Sequence, residues 1–326
     1  MTLPRRRFLR LAGAAAALPA ISRVAIAQAY PNRPIRFVVP YPAGGSTDPL
    51  VRIICDRLSR NLGQTFVVLN QPGAGGNTGT ASVVRGAHDG YTLVASAAAI
   101  AINATYYRNL PFDVEKDLVP LAVIARFPMV FVVPPSSGLN SIADLVARAK
   151  QKPGDISYGT SGNGVLDHLI DEKFKADTGT NMLRVPHNGV PATFTSLLRG
   201  DINFMVAASN AVMPFVDAKT VKPLAVTSAA RSPQLPDVPT MEEQGFKNFQ
   251  MYGWAMLFAP SNTPQPIVEK LHDEIAKALT DPAVRKLLTD QGAESPPLSL
   301  AQLRDYVHRE RELYGAIVRA GDMKAE

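Results

Sequence analysis

Two glycine-rich turns hold the residues of this chain best suited to chemistry. They read Val39-Pro40-Tyr41-Pro42-Ala43-Gly44-Gly45-Ser46-Thr47-Asp48 and Asn70-Gln71-Pro72-Gly73-Ala74-Gly75-Gly76-Asn77-Thr78. Each follows a short β-type run, residues 35–39 or 66–69, and leads into a helical pattern. A strand that ends in glycines and small hydroxyls before a helix aims several backbone N–H groups at one spot. The positive end of the helix dipole makes that spot favourable for an anion. Gly45, Ser46 and Thr47 supply donors in the first turn, and Gly75, Gly76 and Asn77 supply them in the second. Two such spots so near in sequence predict one cleft for a carboxylate or similar small anion. A tight turn is the plain alternative for the first loop. Asp48 precedes Pro49, a residue favoured at the first helical position, so Asp48 is expected to cap that helix. Against the anion itself it would be repulsive.

A third segment, Gly159-Thr160-Ser161-Gly162-Asn163-Gly164, again opens a helix. It departs from the nucleophile elbow G-x-S-x-G, because Asn163 stands where the last glycine is needed. His168, one turn further on, is either a ligand contact or a helix-face histidine. A hydrolase would pair Ser161 with His168 or His187, and the sequence offers neither an elbow nor an evident acid partner. The second loop misses G-x-G-x-x-G because Gly79 comes one residue late, and no G-x-x-x-x-G-K-[ST] occurs, so nucleotide binding has weak support. The histidines at 88, 168, 187, 272 and 308 show no H-x-x-x-H or H-E-x-x-H spacing. With Cys55 as the one thiol, neither a metal site nor a cofactor is expected. Cys55 falls beside Val51, Ile54 and Leu58 on an apolar helix face, which suits packing better than reactivity.

The elements that must position these residues follow from periodicity. Strands at 35–39, 66–69 and 91–95 alternate with helices, a pattern of βαβ units on a parallel sheet. A second set of short strands, at 131–133, 156–158, 183–185, 204–206 and 224–226, forms another α/β unit, with Ser141 and Asp144 capping one of its helices. A proline-rich connection over 231–239 and an apolar run over 254–259 come next. Two amphipathic helices end the chain, one with Ile267, Leu271, Ile275 and Leu279 on a face, the other with Leu303, Tyr306, Val307, Tyr314 and Ile317. Ser299 and Gln302 give the last helix a capping box. The predicted architecture is two α/β domains joined by two or more crossing strands, with the ligand loops at the carboxyl ends of strands facing the cleft.

The first 29 residues are expected to be a targeting segment. Arg5-Arg6-Arg7-Phe8-Leu9-Arg10 has the twin-arginine form, an apolar stretch over 11–21 follows, and cleavage is expected after Ala27 or Ala29. The segment is too short to span a bilayer comfortably, so export to a bacterial periplasm is predicted. It carries five arginines and no acid, so the remaining chain has 34 − 5 = 29 basic and 28 acidic residues, and a net charge of +6 falls to +1. Nucleic-acid binding thereby loses its compositional support.

At this point the chain resembles the solute receptors of tripartite tricarboxylate transporters, the Bug family. The resemblance runs from Tyr30 to about Gly321. It is carried by Tyr30-Pro31-x-Arg33-Pro34-Ile35-Arg36, the two glycine loops, Asp89-Gly90-Tyr91-Thr92-Leu93 and Ser161-Gly162-Asn163-Gly164. Leu224-Ala225-Val226-Thr227-Ser228, Leu235-Pro236-Asp237-Val238-Pro239-Thr240 and Ala259-Pro260-x-x-Thr263-Pro264 extend it. It implies a two-domain periplasmic binding protein of type II, Venus-flytrap form, with residues 30–130 plus 250–326 as one domain and 131–249 as the other. It further implies a monomer that closes on a small carboxylate and delivers it to a permease with one large and one small membrane subunit. Carried over, the first-domain contacts are Tyr41, Gly45, Ser46, Thr47, Gly76 and Asn77, with Ala97 and Ala98 after the third strand. In the second domain Ser161, Asn163, Gly164 and His168 are the candidates.

That second domain departs from the family pattern. A Phe-Asp-Ser-like run has become Met205-Val206-Ala207-Ala208, so Ala207 replaces the acid that would pair with an amino group. Val-Pro-Tyr-Lys-Gly has become Val185-Pro186-His187-Asn188-Gly189, and His187 could still meet a second polar group. Loss of an acid and a lysine predicts a monocarboxylate with a neutral or aromatic tail, and poor binding of acidic amino acids. A sensor of the same fold that signals to a membrane kinase would present identical residues.

Overall fold

The structure is a computed structural model that describes residues 30–324, and the chain from Arg33 onward is one compact unit. The twin-arginine motif and both cleavage positions lie outside the described residues. Among the described residues no helix is long and apolar enough to cross a membrane.

The first βαβ run forms where periodicity places it. Strand β1 (Ile35–Val39) pairs in parallel with β2 (Phe66–Asn70) and β3 (Thr92–Ala97). Helix α1 (Asp48–Leu62) buries Leu50, Val51, Ile54, Cys55 and Leu58, and Gly63 ends it in the left-handed conformation that glycine adopts without strain. Burial pushes the Cys55 thiol up to about 12, in keeping with a packing role. Helices α2 (Asn77–Val84) and α3 (Ala99–Tyr106) follow β2 and β3.

Strand β4 (Leu118–Val133) is far longer than the stretch the sequence marks out, and it belongs to both lobes. Its first part, Leu118 to Pro128, pairs antiparallel with β9 (Tyr252–Pro260), which also pairs antiparallel with β3. Its last part, Met129 to Val133, pairs antiparallel with β7 (Phe204–Ala208) and β8 (Lys222–Val226). The second lobe is completed by β5 (Ser157–Thr160), parallel to β6 (Leu183–Pro186) and to β7. Thus the sheets are parallel within β1–β3 and within β5–β7, and the crossing strands run against them. Thr227 stitches the crossing point. Its hydroxyl accepts the Met129 N–H at 3.0 Å and donates to the Met251 carbonyl, and the Met251 N–H in turn meets the Thr227 carbonyl at 3.1 Å.

Helices α4 (Ile142–Gln151), α5 (Leu166–Thr178), α6 (Val190–Arg199) and α7 (Ser209–Asp217) cover the second sheet. Helices α8 (Gln265–Thr280), α9 (Pro282–Asp290) and α10 (Leu300–Ala320) return to the first lobe. An aromatic cluster of Phe131, Tyr158, Phe174, Phe204 and Phe249 fills the second core. In the first, the buried face of α8 carries Val268, Leu271, Ile275 and Ala278.

Candidate functional site

Five helices start at one cavity. The residues preceding their first turns are Thr47 (α1), Ala98 (α3), Val165 (α5), Gly189 (α6) and Ala208 (α7), and all five line it. None of the five accepts a side-chain capping hydrogen bond. Of the helices that start elsewhere, α4, α9 and α10 are capped by the side chains of Ser141, Asp281 and Ser299, while α2 and α8 have no side-chain cap. A helix start leaves four N–H groups without an intrahelical partner, so this convergence concentrates donors and positive dipole ends around one space. The space is about 710 Å³, part of it open to solvent. Among the described residues its lining contains no Lys, Arg or His.

Tyr41 shapes the first-lobe side. Its phenol is hydrogen-bonded to Ser96 Oγ at 3.2 Å and accepts the Ala97 N–H at 3.2 Å, and burial pushes its pKa up, so it stays neutral. Its ring lies so close to Gly76 that a Cβ there would meet it at 3.1 Å. Gly45, Ser46, Thr47, Ala97 and Ala98 share the wall with it. Opposite them stand Ser161, Val190, Val206, Ala207 and Ala208 of the second lobe, and the crossing strands add Phe127, Met129 and Trp254. Ser46 also meets the second lobe directly, since Asn210 Nδ2 donates to its carbonyl at 2.8 Å.

The second glycine loop stands at an adjoining, more exposed cavity of about 770 Å³. Gly75, Gly76, Asn163 and His187 line it, and Tyr41, Pro42, Ser161 and Gly189 line both spaces. Asn163 Oδ1 accepts from Arg184 at 2.9 Å, and His187 Nε2 is hydrogen-bonded to Ser196 Oγ at 2.7 Å.

Three candidates line neither cavity. Asn77 is buried and its Oδ1 accepts from Asn103 Nδ2 at 2.9 Å, so its side chain ties the loop to α3. Gly164 is pressed against Asn103 and Tyr106. His168 is buried edge-on against Tyr106, its Nδ1 facing the Gly164 N–H at 3.4 Å. Burial, helped by the charges of Arg184 and Lys175, lowers its pKa to about 4, which marks a neutral packing histidine on the helix face. Among the described residues no hydrogen bond joins Ser161 Oγ to His168 or His187, so the serine–histidine pair of a hydrolase is not assembled.

Two sequence expectations are corrected. Asp48 is not the helix cap: it is the first residue of α1, and the residue before it, Thr47, makes no side-chain cap. Its carboxylate instead turns back to accept from Gly44 N at 3.2 Å, Asn70 Nδ2 at 3.0 Å and Arg52 Nη2 at 2.9 Å, which fixes the loop that carries Ser46 and Thr47. The second lobe also does bring an acid to the cavity, namely Asp167. Sequence spacing reads Asp167 as an ordinary first-turn acid, and only the curl of the 161–164 loop sets it on the wall. Phe127, Met129 and Trp254 are likewise invisible in a pattern that marks apolar strand residues without saying which side they face.

Two α/β lobes on crossing strands, with helix starts from both facing a shared cavity, define the class of periplasmic binding proteins. The chain belongs to the tripartite tricarboxylate transporter family receptors, whose family model matches residues 50–323. It is 33% identical over 315 residues to the protein BugT of Bordetella pertussis, covering 96% of this chain and 97% of that one. It is 34% identical over 316 residues to a protein encoded in the tcbD-tcbE intergenic region of Pseudomonas sp. strain P51, covering 96% and 94%. The structure of the periplasmic binding protein BugD matches with a TM-score of 0.87 at 30% identity, over 91% of this chain and all (100%) of that one. R. palustris Rpa4515 with adipate matches with a TM-score of 0.87 at 33% identity, over 90% and 99%. MatC of Rhodopseudomonas palustris with bound malate matches with a TM-score of 0.85 at 27% identity, over 89% and 100%.

Proposed function

We propose that this protein is a periplasmic solute receptor that closes on a small carboxylate and hands it to a membrane permease of one large and one small subunit. In this reading the chain is exported by the twin-arginine route, is cleaved after Ala27 or Ala29, and works as a monomer and a receptor, not as a catalyst. Residues 30–130 with 250–326 form one closing lobe and 131–249 the other. The carboxylate sits against Tyr41, Gly45, Ser46, Thr47, Ala97 and Ala98, and Ser161 and Ala207 face it from the second lobe.

The observation that carries this reading is the convergence of five helix starts on a cavity that, among the described residues, holds no cationic side chain. Backbone donors of that kind stabilise a carboxylate through charge-assisted hydrogen bonds worth roughly 1.5–3 kcal/mol each. Three or four of them outweigh the association cost and support micromolar affinity, about −8 kcal/mol. Adipate and malate, named with Rpa4515 and MatC, support a small carboxylate as the ligand; both are dicarboxylates, so the preference for a single carboxylate rests on the cavity wall of this chain alone. A monocarboxylate with a neutral or aromatic tail suits the apolar far wall of Phe127, Met129, Val206 and Ala207. An acidic amino acid would bring a second carboxylate to that wall, beside Asp167.

Thermal shifts against mono-, di- and tricarboxylates, aromatic acids and acidic amino acids test the reading, because a ligand of the folded state raises the melting temperature by mass action. A shift with mono- or aromatic acids and none with aspartate is expected. No shift with any acid would overturn it.

A further inference from the structure

One carboxyl group stands in a cavity that otherwise holds no charged side chain. Among the described residues Asp167 is the single acid of the lining, and no Lys, Arg or His accompanies it. It is contributed by the second lobe, in the first turn of α5, whereas Ser46, Thr47 and Ala98 come from the first. Both of its oxygens already act as acceptors: Oδ2 takes the Ser161 N–H at 2.7 Å and Oδ1 the His168 N–H at 2.9 Å. One turn further along the same helix, Asp171 is fully buried, and neither of its oxygens has a partner among the described residues. Burial pushes the Asp171 carboxyl well up, which favours its neutral form; burial also pushes Asp167 up, while the N–H groups it accepts from favour its charged form. A ligand end that reaches this wall therefore meets the acceptor oxygens of Asp167, with no cation among the described lining residues to offset them. A second carboxylate placed beside Asp167 is repelled by it. An ammonium could pair with Asp167, but would have to shed its water among Val165, Leu166 and Val206. A hydroxyl avoids both costs, since it donates to a free lone pair of the carboxylate and carries no charge of its own.

We propose that Asp167 is the specificity-determining residue of the cleft, selecting carboxylates whose far end is a neutral hydrogen-bond donor and rejecting those with a second carboxylate. The ligand class is then a small hydroxy acid, held by its carboxylate at the first lobe and by its hydroxyl at the second. This assignment rests on the carboxylate-receptor reading above.

Calorimetric titration at neutral pH with two matched series tests it. Benzoate, 4-hydroxybenzoate and terephthalate differ only at the para position. Hexanoate, 6-hydroxyhexanoate and adipate repeat the comparison on a flexible chain. In the native protein the hydroxy acid of at least one series binds roughly tenfold tighter than its parent, and the dicarboxylate binds weakest. D167N, which removes the carboxylate charge, raises dicarboxylate affinity at least about tenfold and leaves the parent acid within about threefold, which also reports an intact fold. A dicarboxylate that binds the native protein as tightly as the hydroxy acid overturns the assignment, because Asp167 then holds a proton and donates it. Unchanged ratios in D167N overturn it too. Failure of all six acids to bind removes the carboxylate reading itself, and the assignment with it.

Discussion

Asn210 and Ser46 join the two lobes across the cleft: the amide Nδ2 of the first donates to the carbonyl oxygen of the second at 2.8 Å. The other amide atom, Oδ1, is buried without a partner among the described residues, so the side chain serves this one bond. Because Ser46 belongs to the glycine loop and Asn210 to the start of α7, the bond can form only when the lobes are together. The N210A variant is expected to weaken carboxylate binding about five- to tenfold, the worth of one hydrogen bond near 1 kcal/mol. Small-angle scattering should show a larger radius of gyration for N210A in ligand. An unchanged affinity and radius would show that the bond does not hold the closed form.

Gly164 closes the seam on the other side. Its φ is +66°, and a Cβ there would clash with Asn103 Oδ1 of the first lobe and meet Tyr106 Cδ1 at 2.8 Å. Gly63 has a similar φ of +63° with nothing within 4 Å of its Cβ position. G63A therefore reports the backbone cost alone, about 1 kcal/mol of stability, with carboxylate affinity unchanged. G164A is expected to lose the same stability and, in addition, at least tenfold in affinity, because the methyl group keeps α3 and the 161–164 loop apart. Equal affinities for the two variants, measured by titration, would refute the seam.

The Asp48 carboxylate controls the shape of the donor loop. Burial pushes its pKa up, but hydrogen bonds from Arg52, Asn70 and the Gly44 N–H prevail and hold it below the usual carboxylate range. D48A releases all three partners and is expected to cost about 2 kcal/mol in urea unfolding, Arg52 being half exposed. Carboxylate affinity should fall with it, since Ser46 and Thr47 lose the latch that orients their N–H groups. A destabilised D48A that binds as tightly as the native protein would assign Asp48 to stability alone.

His168 makes stability depend on pH. Its folded pKa of about 4 lies below the ordinary 6.5, so between those values the unfolded chain takes a proton that the folded chain refuses. The contribution is whole above about pH 6.5 and is lost as pH falls toward 4, by roughly 3 kcal/mol in all. H168Q has no such proton to take up. The native protein should therefore lose more unfolding free energy than H168Q between pH 7 and pH 5. Parallel losses would place the ring in solvent.

The glycine loops were legible because their signal is local. Strand, glycine turn and helix follow one another within a few residues, and backbone sterics decide the outcome before any long-range contact forms. The same locality made the caps at Ser141 and Ser299 readable. Asp48 misled because a short acid before a proline can cap a helix or start one. What decided it was Arg52 and Asn70, the second of these 22 residues away.

Sequence by itself determined the alternation of strands and helices, the apolar faces that build two cores, and the family pattern. Each depends on the period of neighbouring residues or on motif order. Tertiary structure alone decided that β4 runs through both lobes, that β9 returns beside it, and that five helix starts meet at one cavity. It also set Asp167 on the cavity wall and turned Asn77 and His168 away from it. These depend on side-chain direction and on contacts between residues tens to hundreds of positions apart, where no period in the chain carries the information. The donor-rich turns were written in the sequence, and the wall that faces them was made by folding.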